Sequence, residues 1–282
     1  MTYIKETGMK LLFFGAALVS IAAVILICVF LLASGIPAIR EVGLFPFLLG
    51  TKWKPANNLY GILPMIVGSL YVTGGALLLG VPIGILTAVF LAGFAPKNIY
   101  TPLKSAVNLM AGIPSVVYGF FGLVVLVPFI REIFGGRGMS VLTASLLLGL
   151  MILPTIISVS ETSIRAVPES YYEGGLALGA SHERSVFFTV LPAAKSGIFA
   201  GVVLGIGRAV GETMAVMMVA GNQAVIPSSV LSGVRTLTTN IVLEMGYSTD
   251  LHREALIGTA VVLFLFILMI NLSLSLLKRR MK

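Results

Sequence analysis

Charged residues, cysteine and histidine are all scarce in this 282-residue chain. Only 11% of the residues are charged and 57% are hydrophobic, which excludes an ordinary soluble domain and is typical of an integral membrane protein. The single cysteine, Cys28, cannot form a disulfide within the chain or build a cysteine metal cluster. His182 and His252 are far apart in sequence, and neither has a metal-ligating neighbour at helical spacing. We therefore expect no metal site.

Common catalytic signatures are also missing. The chain has no G-x-S-x-G nucleophile motif and no H-E-x-x-H zinc motif, the usual patterns of hydrolytic enzymes. It also lacks the G-x-x-x-x-G-K-[ST] loop that holds the phosphates of ATP. The sequence therefore predicts a membrane protein that is not an enzyme, with no catalytic residues and no cofactor of its own.

Six apolar segments organise the chain, and they run over roughly 11–33, 66–93, 105–130, 140–160, 196–220 and 255–277. Each is long enough to cross a hydrocarbon core of ~30 Å as a helix, and helices satisfy their own backbone hydrogen bonds in lipid. The first segment exceeds the ~7–15 residues of a cleaved signal, so we interpret it as an uncleaved span. The fold class is all-α integral membrane.

Basic residues indicate the orientation of these spans. The net charge of +8 comes from residues scattered between apolar runs, which favours topology signals over nucleic-acid binding. With the amino terminus inside, eleven of the 19 Lys and Arg residues lie inside, seven lie outside and Arg208 lies in the membrane. The basic tail 278–282 is a strong inside anchor. Both termini are therefore predicted to be cytoplasmic.

Two connections are long enough to have structure of their own. The segment 34–65 is aromatic-rich and is interpreted as an interfacial loop on the outer side. The segment 161–195 is predicted to form a cytoplasmic helix-turn-helix. Pro168 favours a helix start, Gly179 a helix stop, and Ser181 an N-cap for a second short helix.

This inner loop carries the most specific motif in the chain. It reads Glu173-Gly174-Gly175, three residues, Gly179, nine residues, then Thr189-Val190-Leu191-Pro192. It resembles the EAA loop of ABC importer permeases, whose pattern is E-A-A, three residues, G, nine residues, I-x-L-P. The departures are Gly174 and Gly175 for alanine and Thr189 for isoleucine. The resemblance implies that the loop 168–192 docks on an ATPase subunit through these positions: Glu173, Gly174, Gly175, Gly179, Leu191 and Pro192.

Three further stretches extend the resemblance. "AGIPSVVYGFFGL" from Ala111, "RAVGETMAVMMVAGN" from Arg208, and "GVRTLTTNIVLEMGY" from Gly233 with the later "HREAL" are similar to the phosphate-specific importer permeases. They are more similar to the PstC type than to the PstA type. The resemblance implies the type I ABC importer permease fold, with six transmembrane helices and a cytoplasmic coupling-helix loop. One permease domain would then occupy 1–282, with a core module at about 66–277.

The same resemblance implies a function and a set of partners. The chain would form a phosphate pathway with a second, PstA-like permease in the plasma membrane of a bacterium or archaeon. A PstB-like ATPase dimer would hold ATP and Mg²⁺, and an external PstS-like protein would deliver phosphate. Two alternatives stay open: a permease for another oxyanion, such as sulfate or molybdate, and an ion-coupled secondary transporter. The latter predicts an inverted repeat, which the sequence does not display.

Arg208 and Glu212 are the candidate pathway residues. A charge at the bilayer centre costs ~2.5–3.5 kcal/mol on insertion scales, so an intramembrane arginine is a functional candidate. Its planar donors match the oxygens of phosphate. Glu212, four residues later, is expected on the same helix face, where it would hold the guanidinium when phosphate is absent. The alternative is a static ion pair buried against the partner subunit.

Small residues and prolines indicate how the spans pack. Gly80 and Gly84, then Gly197, Gly201 and Gly205, and separately Gly207 and Gly211, recur at four-residue spacing. Such spacing predicts close helix packing in a membrane. Pro114 lies within the predicted third span and is either a bend that lines the pathway or a passive kink.

Overall fold

The computed structural model describes residues 2–280, and most of them lie in helices. The basic side chains at the two ends, Lys5 and residues 278–282, lie outside the described part of the chain. The elements, in chain order, are α1 (Thr2–Val42), α2 (Leu44–Leu49), β1 (Trp53–Lys54), β2 (Leu59–Tyr60), α3 (Leu63–Val89), α4 (Lys97–Gly112), α5 (Ser115–Phe121), α6 (Val127–Phe134), α7 (Val141–Arg165), α8 (Glu169–Ala177), α9 (His182–Ser185), α10 (Leu191–Gly211), α11 (Met214–Val219), α12 (Leu237–Met245) and α13 (Asp250–Arg280).

Six helical segments are long and apolar enough to cross a membrane, as the sequence predicts. Turns of π-helix join neighbouring elements, so that α5 continues into α6 and α9 into α10. The membrane-length segments are Gly8–Val42, Leu63–Phe94, Ser115–Phe134, Val141–Arg165, His182–Gly211 and Asp250–Ser273. The number and type of spans are confirmed, whereas several of the predicted boundaries are wrong, among them both ends of the fifth span and the end of the first.

The third span begins ten residues later than predicted. The chain leaves helical geometry at Ile113, whose ψ is 126°, and Pro114 precedes the first residue of α5. Proline disfavours a helical conformation for the residue before it, so the backbone breaks there. The segment 97–112 becomes a separate helix, α4. Pro114 is therefore neither a bend nor a kink inside a span, because it starts one.

The fifth span ends at Gly211 and not near residue 220. Glu212 has φ −69° and ψ 129°, which is extended, and the chain becomes helical again only at Met214. Apolar composition continues across this break, so hydropathy alone joins two separate helices. Arg208 and Glu212 consequently do not share a helix.

α7 is the central helix of the bundle. In its most apolar 18-residue window 67% of the residues are buried, against 28% or less in the other five spans. Glycines let two neighbours approach it closely. A Cβ atom at Gly80 of α3 would lie 2.7 Å from Ile152, and one at Gly205 of α10 would lie 2.9 Å from Ile156. The predicted packing role is confirmed for the glycines at 80, 84, 197, 201 and 205, which all face α7.

The segment 34–65 is not an irregular loop, because most of it has regular secondary structure. α1 extends to Val42, and a two-stranded antiparallel hairpin pairs Trp53 with Tyr60. Both aromatic side chains are buried, together with Phe47 of α2 and Leu256 of α13. The hairpin therefore belongs to the folded body, and we call this side of the bundle the hairpin end.

The opposite side, the α8 end, carries the predicted helix-turn-helix. Pro168 precedes α8, Gly179 has a φ of +83°, and the Ser181 hydroxyl accepts a hydrogen bond from the Arg184 backbone N–H at 3.3 Å. These local predictions are confirmed. The second helix is not short, however, because α9 passes through a π-helical turn into α10.

The two glycines that replace alanine in the motif have different surroundings. A Cβ atom at Gly175 would lie 2.7 Å from Oγ and 3.2 Å from Cβ of Ser185, whereas one at Gly174 would have no atom within 4 Å. Ser185 is itself fully buried, and its hydroxyl has no hydrogen-bond partner among the described residues. Gly175 is therefore fitted to Ser185, and Gly174 is free to change.

We predict that Gly175→Ala loosens α8, because overpacking of this kind costs about 1–3 kcal/mol. Amide hydrogen exchange over residues 169–185, measured in mild detergent, should become faster. Ser185→Ala removes the 2.7 Å contact, so the double variant should regain most of the lost protection. Gly174→Ala is the matched control and should not accelerate exchange. Equal exchange in the two single variants would contradict the fit.

Candidate translocation and coupling sites

Arg208 lies in the last turn of α10, beside the central helix α7. Its NH1 group donates a hydrogen bond to Oγ1 of Thr155 at 3.3 Å. The side chain is half-buried. A long cationic side chain is thus held at the end of a membrane-length helix by a neutral hydroxyl group.

Glu212 does not hold the Arg208 guanidinium. Its Oε1 accepts hydrogen bonds from the backbone N–H groups of Thr213 and Ala215, both at 3.2 Å, and so caps the start of α11. Neither residue belongs to any ion pair formed by the described residues. The expected pair at four-residue spacing is wrong, because the helix ends between its two members.

The face of α10 that carries Arg208 is open. Gly207 and Gly211 are exposed, and a Cβ atom at either would meet no atom within 4 Å. They therefore do not pack against another helix of the described chain, and a packing role against a helix of a partner stays a prediction. Leu204, one turn before Arg208, is also exposed. This face has room for a ligand or for a helix of another chain.

Half-buried cations are few, and Arg208 differs from the others. Over the residues whose side chains the structure describes, Lys104, Arg208 and Arg235 are the lysines and arginines that are neither exposed nor fully buried. Lys104 pairs with Glu161 at 2.6 Å, and Arg235 pairs with Glu244 at 2.6 Å. Arg208 faces a hydroxyl and no carboxylate. Its charge is therefore left for a partner that the described residues do not supply.

Glu161 forms the first of these clusters, at the α8 end. It is 2% exposed and also accepts hydrogen bonds from Arg165 and from the Tyr100 hydroxyl. Since Lys104 and Tyr100 belong to α4, the cluster joins α4 to the end of α7. Sequence spacing could have indicated the pair of Glu161 and Arg165, four residues apart, but not Lys104.

Glu244 forms the second cluster, at the hairpin end. Its carboxylate accepts hydrogen bonds from Trp53 Nε1 at 2.8 Å, His252 Nε2 at 2.9 Å and Arg235. Burial opposes ionisation, but these three donors outweigh it and hold the pKa of Glu244 below its ordinary value. One carboxylate thus ties together the hairpin, α12 and α13.

The motif of the α8 end divides into two parts. Glu173 and Gly174 are exposed on α8, and Leu178, just after it, is 91% exposed. Gly175 and Gly179 shape this helix and its turn. Leu191 and Pro192 instead begin α10. The exposed part of α8 and its turn, which includes Glu173, Gly174 and Leu178, forms an apolar and acidic surface that no described residue covers. We call this surface the α8 knob.

His182 fixes this knob to the bundle. Its Nδ1 atom lies 2.8 Å from the Tyr172 hydroxyl of α8, and its Nε2 atom lies 3.0 Å from the Gly93 carbonyl oxygen. A carbonyl oxygen only accepts, so Nε2 donates and Nδ1 accepts from tyrosine. Sequence reasoning missed this role of His182. It depends on Gly93, which lies 89 residues earlier in the chain but at the same end of the bundle.

Residues 2–280 contain no group of three or more His, Cys, Asp or Glu side chains placed to hold a metal ion. The charged clusters around Glu161 and Glu244 join helices and are closed by cations of this chain.

Comparison with known proteins places these features in a family. The family model "Binding-protein-dependent transport system inner membrane component" matches residues 80–282. The probable ABC transporter permease protein YqgH of Bacillus subtilis (strain 168) is 40% identical over 279 residues, which cover 95% of this chain and 90% of that protein. The phosphate transport system permease protein PstC of Xylella fastidiosa (strain Temecula1 / ATCC 700964) is 33% identical, covering 91% and 85%. These relatives confirm the resemblance to PstC-type permeases.

Solved structures support the fold. A chain of the MetNI methionine ABC transporter, in an inward-facing conformation, aligns with a TM-score of 0.65 at 20% identity, covering 82% of this chain and all of that one. A chain of a bacterial alginate ABC transporter aligns with a TM-score of 0.69 at 16% identity, covering 98% and 96%. At these identities the likeness concerns the type I permease fold alone. With its six spans, its open α8 knob and these relatives, the chain belongs to the family of binding-protein-dependent transport system inner membrane components.

Proposed function

We propose that this chain is a permease subunit of an ATP-driven importer of inorganic phosphate, and that it forms the translocation pathway with a second, PstA-like permease. The observation that carries the proposal is the unpaired guanidinium of Arg208 on the open face of α10. The PstC relatives, named for phosphate transport, support the choice of substrate.

Arg208 has the chemistry that a transient phosphate ligand needs. A guanidinium offers five N–H donors in a planar fork that matches an oxyanion. One donor is used by Thr155, so four are left for an incoming anion. No carboxylate of the described residues competes for them at ion-pair distance. Sulfate and molybdate share this chemistry, and competition experiments separate them from phosphate.

The α8 knob is the proposed coupling surface. A PstB-like ATPase dimer, which would hold ATP and Mg²⁺, would receive Glu173, Gly174 and the exposed Leu178 in a groove. Gly175 and Gly179 would set the shape of the knob, and Leu191 and Pro192 would join it to α10. A PstS-like protein would deliver phosphate at the hairpin end, and rigid-body rocking of the spans would alternate access.

This scheme needs both termini and the α8 end in the cytoplasm of a bacterial or archaeal cell. Exposed asparagines at the two ends provide matched reporters, Asn57 in the hairpin and Asn98 at the start of α4. In a Cys28→Ser background, Asn57→Cys should react with a membrane-impermeant maleimide in intact cells. Asn98→Cys should react only after permeabilisation. The reverse pattern would invert the proposed topology.

Phosphate uptake by the reconstituted complex, with ATP inside the vesicles and loaded binding protein outside, tests the function. Phosphate should accumulate, and sulfate or molybdate in excess should not compete. Arg208→Lys keeps the charge but loses the bidentate fork. It should lower uptake at least tenfold, the effect of losing about 1.4 kcal/mol of anion binding, while the complex assembles and hydrolyses ATP.

The outcomes of this experiment are separable. Uptake of sulfate in place of phosphate would support the assignment as a permease but would contradict phosphate as its substrate. Transport without any ATPase subunit would favour an ion-coupled secondary transporter. Unchanged phosphate uptake in both Arg208→Lys and Arg208→Gln would remove Arg208 from the pathway.

Glu212 is proposed to act by shaping the pathway and not through its charge. Glu212→Gln retains an oxygen that can accept from Thr213 and Ala215, so uptake should stay near the original rate. Glu212→Ala removes the cap, which costs about 0.5–2 kcal/mol, and should slow uptake and expose 213–219 to hydrogen exchange. If Glu212→Gln abolishes uptake in an assembled complex, the negative charge itself is required and the proposal fails.

A further inference from the structure

We infer that Thr155 is a positioning residue for Arg208 and a second hydrogen-bond donor to the transported anion. This inference rests on the proposed function, since it concerns the same site. It assigns a role to a residue of α7, whereas Arg208 belongs to α10. The geometry points to a two-residue anion site built across the contact between these helices.

The Thr155 hydroxyl differs from three other threonine hydroxyl groups in the long helices. Those of Thr87, Thr162 and Thr259 each donate to the carbonyl oxygen four residues earlier in their own helix. Thr155 makes no such bond. Its oxygen accepts from Arg208 NH1, and no acceptor among the described residues takes its hydrogen. A donor is therefore left unused beside an unpaired cation.

The position of this hydroxyl is fixed by the surrounding packing. Thr155 follows the buried Pro154 and precedes Ile156, which is fully buried. A Cβ atom at Gly205 of α10 would lie only 2.9 Å from Ile156. A close contact between α7 and α10 is therefore one residue from Thr155 and three residues from Arg208. Such packing holds the two side chains in register, which is how a site on helices is preorganised.

A neutral partner suits a cation that must bind and release an anion. A carboxylate at this place would neutralise Arg208 and compete with the substrate. A hydroxyl oxygen orients one N–H group and leaves the charge uncompensated. Accepting that bond also polarises the hydroxyl, which strengthens it as a donor. The distance of 3.3 Å lies at the long end for an N–H···O bond, so the guanidinium is oriented but not locked.

The surroundings leave space for an anion in front of these donors. Gly207 and Gly211 flank Arg208 on the open face of α10 and present no side chain. Thr155 is half-buried and not enclosed. An oxyanion on this face could accept from the guanidinium fork and from the threonine hydroxyl at once. Thr155 then acts partly through Arg208 and partly by direct contact.

The test compares Thr155→Ser with Thr155→Ala, since these two variants differ only in the hydroxyl group. Loss of a hydrogen bond to a charged group should lower phosphate uptake about tenfold in Thr155→Ala. ATP hydrolysis stimulated by loaded binding protein should persist, so the number of phosphate ions transported per ATP should fall. Thr155→Ser should restore that ratio. Thr162→Ala, on the same helix but bonded to its own backbone, is the control and should keep the original ratio.

The outcomes separate this inference from the proposed function. If the unaltered complex does not transport phosphate, the proposed function fails first. If it does, and Arg208→Lys is impaired while Thr155→Ala keeps the original ratio, the inference on Thr155 alone is overturned. Thr155→Val provides a second hydroxyl-free variant. Failure of both Thr155→Ala and Thr155→Val to assemble, with Thr155→Ser intact, would assign the hydroxyl to folding and also overturn the inference.

Discussion

The backbone break after Gly211 is the constraint on which the candidate site depends. A continuous helix from 191 to 219 would place Arg208 beside Glu212, and the carboxylate would form an ion pair with the guanidinium. The extended residue Glu212 turns the chain, and its side chain caps α11 instead. Its carbonyl oxygen accepts from the Thr238 hydroxyl at 3.1 Å, which anchors α12 to the same turn. The break thereby both exposes a charge and supports the hairpin end.

The distribution of buried charge supports this reading of Arg208. Glu161 and Glu244 are both buried and both receive cations and neutral donors. Burial of an ion is costly unless it is paired and hydrogen-bonded, so such clusters are expected wherever a charge serves to join helices. Arg208 has one long hydrogen bond and no ion pair in the described chain. In a membrane protein an ionisable residue of this kind is a candidate functional site, and the proposed partner of Arg208 is the transported anion.

Local rules predicted much of this fold, and distant contacts account for what they missed. Six spans follow from apolar length, and the turn before α9 follows from Gly179 and Ser181. The end of the fifth span does not, because Met214 continues the apolar run across the break. The sequence alone assigns Trp53 to an interfacial loop, because local patterns cannot reveal its hydrogen bond to Glu244, 191 residues away. Thr155 belongs to none of the motifs found in the sequence, and its hydrogen bond to Arg208 forms only because α10 packs on α7.

A single helical segment connects the α8 knob to Arg208. The span His182–Gly211 is one helical segment of 30 residues, which is about 45 Å long at 1.5 Å per residue. Its first residue, His182, is hydrogen-bonded to the Tyr172 hydroxyl of α8, and its last turn carries Arg208. Because the backbone stays helical along this segment, through one π-helical turn at Val186–Val190, a tilt imposed at α8 would also displace the guanidinium. The close contact between Ile156 of α7 and Gly205 of α10 holds Thr155 beside the same helical segment. Sliding of α10 along α7 would therefore separate the two donors, which gives a physical means of releasing a bound anion without neutralising either group.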